Sequence, residues 1–560
     1  MSVRPRAEVR QTGAPYERAV DVASMRAFEQ VGQQAGHTAL MRAAGAALSV
    51  AVRRIAGPLG GRAVLAMVGP GDNGGDALIL ARHLAQDGAT VVCWGARERQ
   101  DDPLVEAARA AGARWTVWNG DARALEHMAQ ACDVVIDGLL GIGSGPPLRG
   151  TVREMLAALS RPPARYTPSP PGRCGNAPMR GPGGWGVRPT FGPTEQLRIA
   201  VDLPSGTHAD TGAADGLAFR ATHTLSTGPV KLGTLLHPAI EFAGVIEALA
   251  IGLPEEALRA AGAGIIDQTT VASLRPARTL GGHKGTFGRV VILGGSTRYR
   301  GAPALAARAA IGAGAGLVSV AAVEAVVNAV AGAAPEATFR PLEADASGQV
   351  AASADHVRAL LSDAEAAVVG PGLGRSAHMD RLLTELAGMA SLPPLVLDAD
   401  ALNALAEYPA ALQEFGQRAV LTPHPGELRR LLRSEHTPDG LARLTAAREL
   451  EARTGAAVAA KGSPTFVCAA GQTWVLARPN PALAYGGTGD VLAGAIAGLL
   501  AQGLSPAAAA RLAVWLHARA AELAEQGGMT GLPAEAVAHA LPAALHELAA
   551  AAVQRTVAVV

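Results

Sequence analysis

Late in the chain, Gly486-Gly487-Thr488-Gly489-Asp490 runs directly into Val491-Leu492-Ala493-Gly494-Ala495-Ile496-Ala497-Gly498-Leu499-Leu500. The second stretch is apolar nearly all round a helical wheel, which predicts a buried helix. The glycines ahead of it let the backbone approach a ligand closely. The unpaired N–H groups and positive dipole end of the helix suit a phosphate. Asp490 stands at or beside that helix start. An aspartate there is either an N-cap or a base aimed at a hydroxyl beside a bound phosphate. The other motifs favour the base.

Carboxylates recur at strand ends in the first half. The strand Ala63–Val68 leads into Gly69-Pro70-Gly71-Asp72-Asn73-Gly74-Gly75-Asp76, read as a loop, with a helix from about Ala77 to Gln86 and a strand from Ala89 to Trp94. This is a βαβ unit. Its loop matches G-x-G-x-x-G at Gly69, Gly71 and Gly74. No acid ends the second strand, however, and Asp72 and Asp76 put negative charge where a pyrophosphate would lie, which disfavours an ordinary NAD dehydrogenase. Two acids and an amide suit a hard cation or a sugar and amide better. Asp133–Asp137 leads into Gly138–Gly145, and Leu197–Asp202 into Leu203–Gly206. One such aspartate could be a loop cap; three make an oxygen-rich crevice beyond the carboxyl ends of a parallel sheet. Lys231, in Gly228–Gly233, could reach an anion or be a solvated surface lysine.

The elements that position these residues alternate strand and helix throughout, which predicts mostly parallel sheets. In the second half, Ala366–Val369 ends in Gly370–Gly374, Leu395–Leu397 in Asp398–Asn403, Val420–Leu421 in Thr422–Glu427, and Ala457–Ala460 in Lys461–Thr465. Phe466–Cys468 and Thr473–Leu476 form a hairpin closed at Gly471. With 560 residues, 49% of them hydrophobic and only 3% aromatic, there is material for two large cores built from Ala, Leu and Val. We place the boundary after residue 262, giving domains 1–262 and 263–560. Arg161–Gln196, rich in Pro, Gly and Arg, reads as a disordered insertion. A net charge of +1 with no basic run argues against nucleic acid. Four cysteines lacking C-x-x-C spacing fit a reducing compartment. No signal peptide or membrane span is visible, so a soluble cytoplasmic protein is expected.

Together the motifs resemble one family. HKGTFGRVVILGGS (283–296), GAPALAA (301–307), GPGLG (370–374), DADALN (398–403), TPHPGEL (422–428), KGSPT (461–465) and GGTGDVLAG (486–494) resemble the ADP/ATP-dependent NAD(P)H-hydrate dehydratases, relatives of the ribokinase-like kinases. LMRAAG (40–45), DNGGDA (72–77), DGLLGIGSGPP (137–147), VDLPSGTHADTG (201–212) and GPVKLG (228–233) resemble the NAD(P)H-hydrate epimerases. In this order the chain looks like the bacterial bifunctional NAD(P)H-hydrate repair enzymes. Asp72, Ala77, Arg42 and Tyr485 depart from the usual residues (Asn, Gly, Glu and a smaller side chain).

The resemblance implies an α/β fold: a Rossmann-like three-layer domain, then a ribokinase-like one. It implies that the S form of NADHX or NADPHX is dehydrated with ADP and Mg²⁺, and that R and S forms are interconverted. Asp490 would be the base. Lys461, Gly462, Ser463, Pro464, Thr465 and Gly489 would hold the nucleotide, while Ala302, Gly372, Gly374, His424 and Asp490 would line the hydrate site. In the first half, Asn73, Asp137 and Ser205 would hold K⁺. Asp72, Asn73, Gly74, Gly75, Asp76, then Gly141, Ile142, Gly143, Ser144, Gly145, Pro146, Pro147, and Asp202 would contact the hydrate, with Asp76 or Asp202 moving the proton. A homo-oligomer is the expected assembly. The rival reading is a ribokinase-like small-molecule kinase joined to a non-catalytic binding module, which would leave a stable phosphorylated product rather than free phosphate.

Overall fold

The computed structural model describes residues 9–11, 18–32, 37–159, 196–253, 262–389, 391–525 and 531–558. The chain divides into two compact units, Met1–Gly264 and Ile265–Val560. The insertion expected over Arg161–Gln196 lies, apart from Gln196, outside the described residues. No helix among the described residues is long and apolar enough to cross a membrane.

The first unit is built on an eight-stranded sheet, parallel throughout. Its spatial order is Val9–Gln11, Val245–Leu249, His223–Thr227, Leu197–Val201, Val134–Gly138, Ala63–Val68, Thr90–Gly95, Arg114–Val117. The chain starts its winding at Ala63–Val68, moves outward through two strands, and returns on the other side at Val134–Gly138. Ligands of open parallel sheets bind where the winding reverses, and the residues after those two central strands include Asn73 and the 141–147 loop. Burial on both faces explains why the central strands Ala63–Val68, Val134–Gly138 and Leu197–Val201 read as largely apolar runs without alternation.

One expectation is corrected. Residues 72–76 are not a loop: the helix begins at Asp72 and runs to Gln86, with extended Gly71 as its N-cap. The glycines serve close approach rather than turning. A Cβ at Gly69 would come 1.8 Å from the Leu139 carbonyl oxygen, and one at Gly74 2.1 Å from that of Gly69. A helix start is thereby pressed against two neighbouring strand ends, with Asn73 and Asp76 in its first turns.

In the second unit the sheet order is Thr338–Leu342, Leu317–Val323, Arg289–Leu293, Ala366–Val369, Leu395–Leu397, Ala419–Leu421, Ala457–Ala460, Thr465–Ala469, Gln472–Leu476. The first seven are parallel; the last two form the expected antiparallel hairpin. Consecutive neighbours thus bring Gly370–Gly374, Asp398, Thr422 and Lys461 to one edge. The helix Thr488–Ala501 is buried from Val491 onward, as its all-round apolarity predicts. It packs backbone to backbone on Ala302–Gly312: a Cβ at Gly494 would meet the Ala306 carbonyl oxygen at 2.1 Å, and one at Gly498 that of Ala310 at 2.6 Å. Any larger residue at either position would push the helices apart and shift Asp490.

Candidate active sites

Asp490 is the third residue of its helix. Gly487, at φ +92°, is the N-cap, and no side chain caps the helix. The capping reading of Asp490 is therefore excluded. Its carboxylate is half-buried and has no hydrogen-bond partner among the described residues. Burial, followed by the Asp398 and Asp400 charges, pushes its pKa up to about 7 against the pull of Lys461. A carboxyl titrating there exchanges a proton readily at neutral pH.

Beside it sits an ion pair. Lys461 Nζ donates to Asp398 Oδ1 at 2.7 Å and lies 3.9 Å from Glu427 Oε2. Thr422 Oγ1 also donates to Asp398 Oδ1 at 2.7 Å. Burial alone would lower the Lys461 pKa, but Asp398, Glu427 and Asp490 outweigh it and the pKa is raised, so the ammonium stays charged. A Cβ at Gly489 would lie 3.3 Å from Lys461 Nζ, so the bare glycine keeps the helix start directly against the ammonium.

His424, expected at the hydrate site, is the structural cap of the helix Pro425–Leu432. Its Nδ1 accepts from the Gly426 and Glu427 N–H groups while its own N–H donates to Glu427. That leaves Nε2, 3.3 Å from Glu427 Oε1. Burial, then Lys461 and Arg430, lower the imidazole pKa. Glu427 is pushed up to about 7, chiefly by burial. On the other flank Asp400 accepts from the Gly374 N–H at 2.8 Å. A Cβ at Gly372 would lie 3.3 Å from the Ala302 Cβ. The expected site residues thus fall into groups: Lys461, which acts on Asp490, with His424 through Glu427; Gly374 with Asp400, whose charge also acts on Asp490; and Gly372 with Ala302.

The Lys461–Thr465 turn is braced from below. Arg443, almost fully buried, donates to the Pro464 carbonyl at 2.5 Å. Gly462 has φ +142°, and a Cβ there would meet the Arg443 Cζ at 2.6 Å. Thr465 Oγ1 closes the turn on the Gly462 carbonyl at 2.9 Å.

In the first unit Asp137, wholly buried, accepts from Ser205 N at 2.8 Å, Ser205 Oγ at 2.7 Å and Leu139 N at 3.2 Å. Ser205 Oγ in turn accepts from Leu140 N at 2.9 Å, and Asn73 Nδ2 donates to the Leu140 carbonyl at 2.7 Å. Asn73, Asp137 and Ser205 are therefore one hydrogen-bonded group. Burial raises the Asp137 carboxyl to about 6. Ser144 Oγ donates to the Gly141 carbonyl, and residues 144–149 line an open depression of about 330 Å³.

Asp202, at φ +69°, is ion-paired with Lys231, which is completely buried. The lysine also donates to Ser226 Oγ and the Thr227 carbonyl, which settles the open question about it: it is an internal brace. Asp76 lies close enough to feel Asp202, Asp72, Lys231 and Glu29, and its pKa is raised, by burial first.

Sequence reasoning assigned no role to Asp398, Asp400 or Glu427, and left Lys231 open between an anion contact and a solvated surface lysine. Asp398 had a readable signal, an acid directly after an apolar strand, as Asp137 and Asp202 do. Glu427 could have been found from the capping spacing His424-x-x-Glu427. Lys231 carries no local signal, because its ion-pair partner Asp202 lies 29 residues away.

Comparison with known proteins adds the following. One family model, described as NAD(P)H-hydrate dehydratase, matches residues 290–543, and another, described as YjeF-related protein N-terminus, matches residues 37–233. The bifunctional NAD(P)H-hydrate repair enzyme Nnr of Thermofilum pendens is 33% identical over 522 residues, covering 91% of this chain and 92% of its own. The enzyme of the same name from Salinibacter ruber is 35% identical over 508 residues, covering 86% and 87%. Among solved structures, the ADP/ATP-dependent NAD(P)H-hydrate dehydratase from Bacillus subtilis co-crystallised with ATP/Mg²⁺ is 27% identical, with a TM-score of 0.41, covering 51% of this chain and 98% of that one.

Proposed function

The chain belongs to the bifunctional NAD(P)H-hydrate repair enzymes, which join an epimerase to a dehydratase, and from that premise we propose the residues and the nucleotide through which it works. The second unit dehydrates the S form of NADHX and NADPHX using ADP. The first unit interconverts the R and S forms.

Hydroxide is a poor leaving group, and the second unit converts it to phosphate. Asp490 takes the proton of the ring hydroxyl as that oxygen attacks the terminal phosphorus of ADP, and AMP departs. The phosphorylated hydrate then loses phosphate, the ring gives up a proton, and the reduced nicotinamide is restored. The N–H groups at Gly487–Gly489 and the Lys461 ammonium hold charge on the transferred phosphoryl oxygens. Lys461–Thr465, braced by Arg443, hold the nucleotide; Gly372, Gly374, Ala302 and His424 hold the hydrate. Mg²⁺ would be shared with the nucleotide phosphates, its usual arrangement. The observation that carries this reading is the Asp490 carboxylate: half-buried, without a hydrogen-bond partner among the described residues, and titrating near 7 at a glycine-lined helix start beside Lys461.

In the first unit the donor chemistry suits K⁺. Asp137 is a fully buried carboxylate with no ion-pair partner among the described residues, and Ser205 and Asn73 add neutral oxygens. K⁺ would neutralise that charge and order the 141–147 loop. Asp76 and Asp202, at the same sheet edge, are the groups that would move the epimerisation proton.

The test is to incubate the protein with mixed hydrate epimers, ADP and Mg²⁺, following reduced-nicotinamide absorbance and free phosphate. Full conversion with one phosphate released per ring restored supports both assignments. Conversion of the S form alone removes the epimerase assignment. A stable phosphorylated product without ring recovery favours the kinase reading.

A further inference from the structure

The dinucleotide hydrate brings at least two phosphate charges to a sheet edge already crowded with Asp72, Asp76, Asp137 and Asp202. The one lysine there, Lys231, is spent on Asp202 in the interior. Arg99 is spent on Asp102 and the Gly69 and Gly71 carbonyls, and the proposed K⁺ is matched by Asp137, so a side-chain cation for the phosphates must come from elsewhere, and the 141–147 loop has one against it. A Cβ at Gly143 would lie 3.7 Å from Arg26 Nη2, and one at Gly145 2.7 Å from His208 Cδ2. Arg26 is exposed and makes no ion pair or hydrogen bond among the described residues.

His208 and Arg26 are held in one corner. His208 Nδ1 accepts from the N–H groups of Asp210 and Thr211 at 3.1 and 3.3 Å. Its neutral ring therefore carries the hydrogen on Nε2, the atom next to Cδ2 and hence next to Gly145. Asp210 Oδ1 in turn accepts from Val22 N at 2.7 Å, tying that turn to the first residue of the helix Val22–Gly32. Arg26 is one helical turn further on. The loop is thus met by a guanidinium at Gly143 and an imidazole N–H at Gly145, two donors that suit phosphate oxygens.

We propose that Arg26 and His208 form the phosphate subsite of the first unit, holding a phosphate of the dinucleotide hydrate over the glycines of the 141–147 loop. This rests on the epimerase assignment. Two phosphate sources share this chemistry, the diphosphate bridge and the 2′-phosphate present only in NADPHX, and the experiment separates them.

R-form epimerisation is measured with NADHX and with NADPHX for the wild type, Arg26→Gln, Arg26→Lys, His208→Asn and, as a comparator on the depression's rim, Arg149→Gln. Arg26→Gln is expected to raise KM roughly tenfold or more, the usual size for a lost charged hydrogen bond, with kcat within about twofold. Arg26→Lys should recover part of the loss and His208→Asn show a smaller one. An equal effect on both substrates identifies the diphosphate; an effect confined to NADPHX identifies the 2′-phosphate. Unchanged KM in both Arg26→Gln and His208→Asn overturns the proposal, as does a KM rise that follows Arg149→Gln instead. A wild type that converts only the S form overturns the epimerase assignment, and the subsite with it.

Discussion

Each unit closes its sheet edge with a lysine paired to an aspartate, and the two pairs are built to opposite ends. Lys231 is completely buried and spends its donors on Asp202, Ser226 and Thr227. Lys461 keeps 20% of its side chain exposed, bonds Asp398, and faces Gly489 and the Asp490 carboxylate. The first pair is sealed: it fixes the backbone of Asp202 at φ +69°, where a residue with a side chain is strained. The second is open, and its remaining donors are available to a ligand. One residue grammar thus serves as an internal brace in one unit and, under the proposed function, as an electrostatic tool in the other, and the partly exposed Lys461 side chain marks the difference.

The sharpest way to break that contrast is at Asp490. Asp490→Asn should cut S-form dehydration by roughly 10²–10⁴-fold, the usual contribution of a general base, with near-normal turnover refuting the role. The same variant should be more stable than the wild type at pH 8. The folded-state pKa, about 7, lies above the ordinary carboxylate range, so the folded protein holds a proton that the unfolded chain has released. Stability from this group is highest at low pH and falls as pH rises through the window between about 4 and 7. Asparagine removes that loss. Thermal unfolding at pH 5 and pH 8 should show a clearly larger advantage for the variant at the higher pH.

Lys231→Met should do the reverse. Removing one partner of a sealed pair leaves a buried charge, typically about 3–5 kcal/mol of destabilisation, read by urea unfolding of the first unit. Lys461→Met, in the open pair, should destabilise less and instead raise the KM for ADP. Equal stability losses in the two variants would erase the distinction between brace and tool.

A smaller effect separates them by pH. If Asp490 must be ionised to act, kcat/KM for dehydration should climb about tenfold per pH unit up to about 7 and then level off. A profile flat from pH 5 to 8 would remove Asp490 as the base.

Much of this was readable in the chain, because the signals were local. The all-round apolar run after Asp490 predicts the buried helix, and apolar runs ending in acids predict the parallel strands and the edge at which those acids gather. Where reading failed, the cause was contact across sequence distance. The start of the helix at Asp72 was missed because Gly74 and Gly75 look like turn residues. At Gly74 the Gly69 backbone leaves no room for a Cβ, and at Gly75 the ends of Met41 and Leu104 stand within 3.2–3.3 Å of where one would lie. Lys231 read as an ambiguous loop lysine because Asp202, the charge that holds it inside, lies 29 residues away. Asp398 was in view but unassigned, since its meaning comes from Lys461, 63 residues away.

The smallest predicted effect tests the open pair most directly. Gly489 lies within the first turn of its helix, where replacing glycine by alanine ordinarily stabilises by about 0.5–1 kcal/mol. The new Cβ, however, would stand 3.3 Å from Lys461 Nζ, closer than it sits comfortably, so the ammonium must yield by a few tenths of an ångström. A flexible lysine can do that without unfolding anything. Gly489→Ala should therefore melt at the same temperature as the wild type or slightly higher, while the KM for ADP rises roughly threefold, a charged hydrogen bond being weakened rather than lost. A raised melting temperature with an unchanged ADP KM would mean that Lys461 does not grip the nucleotide. Its pair with Asp398 would then be a second brace like the one in the first unit.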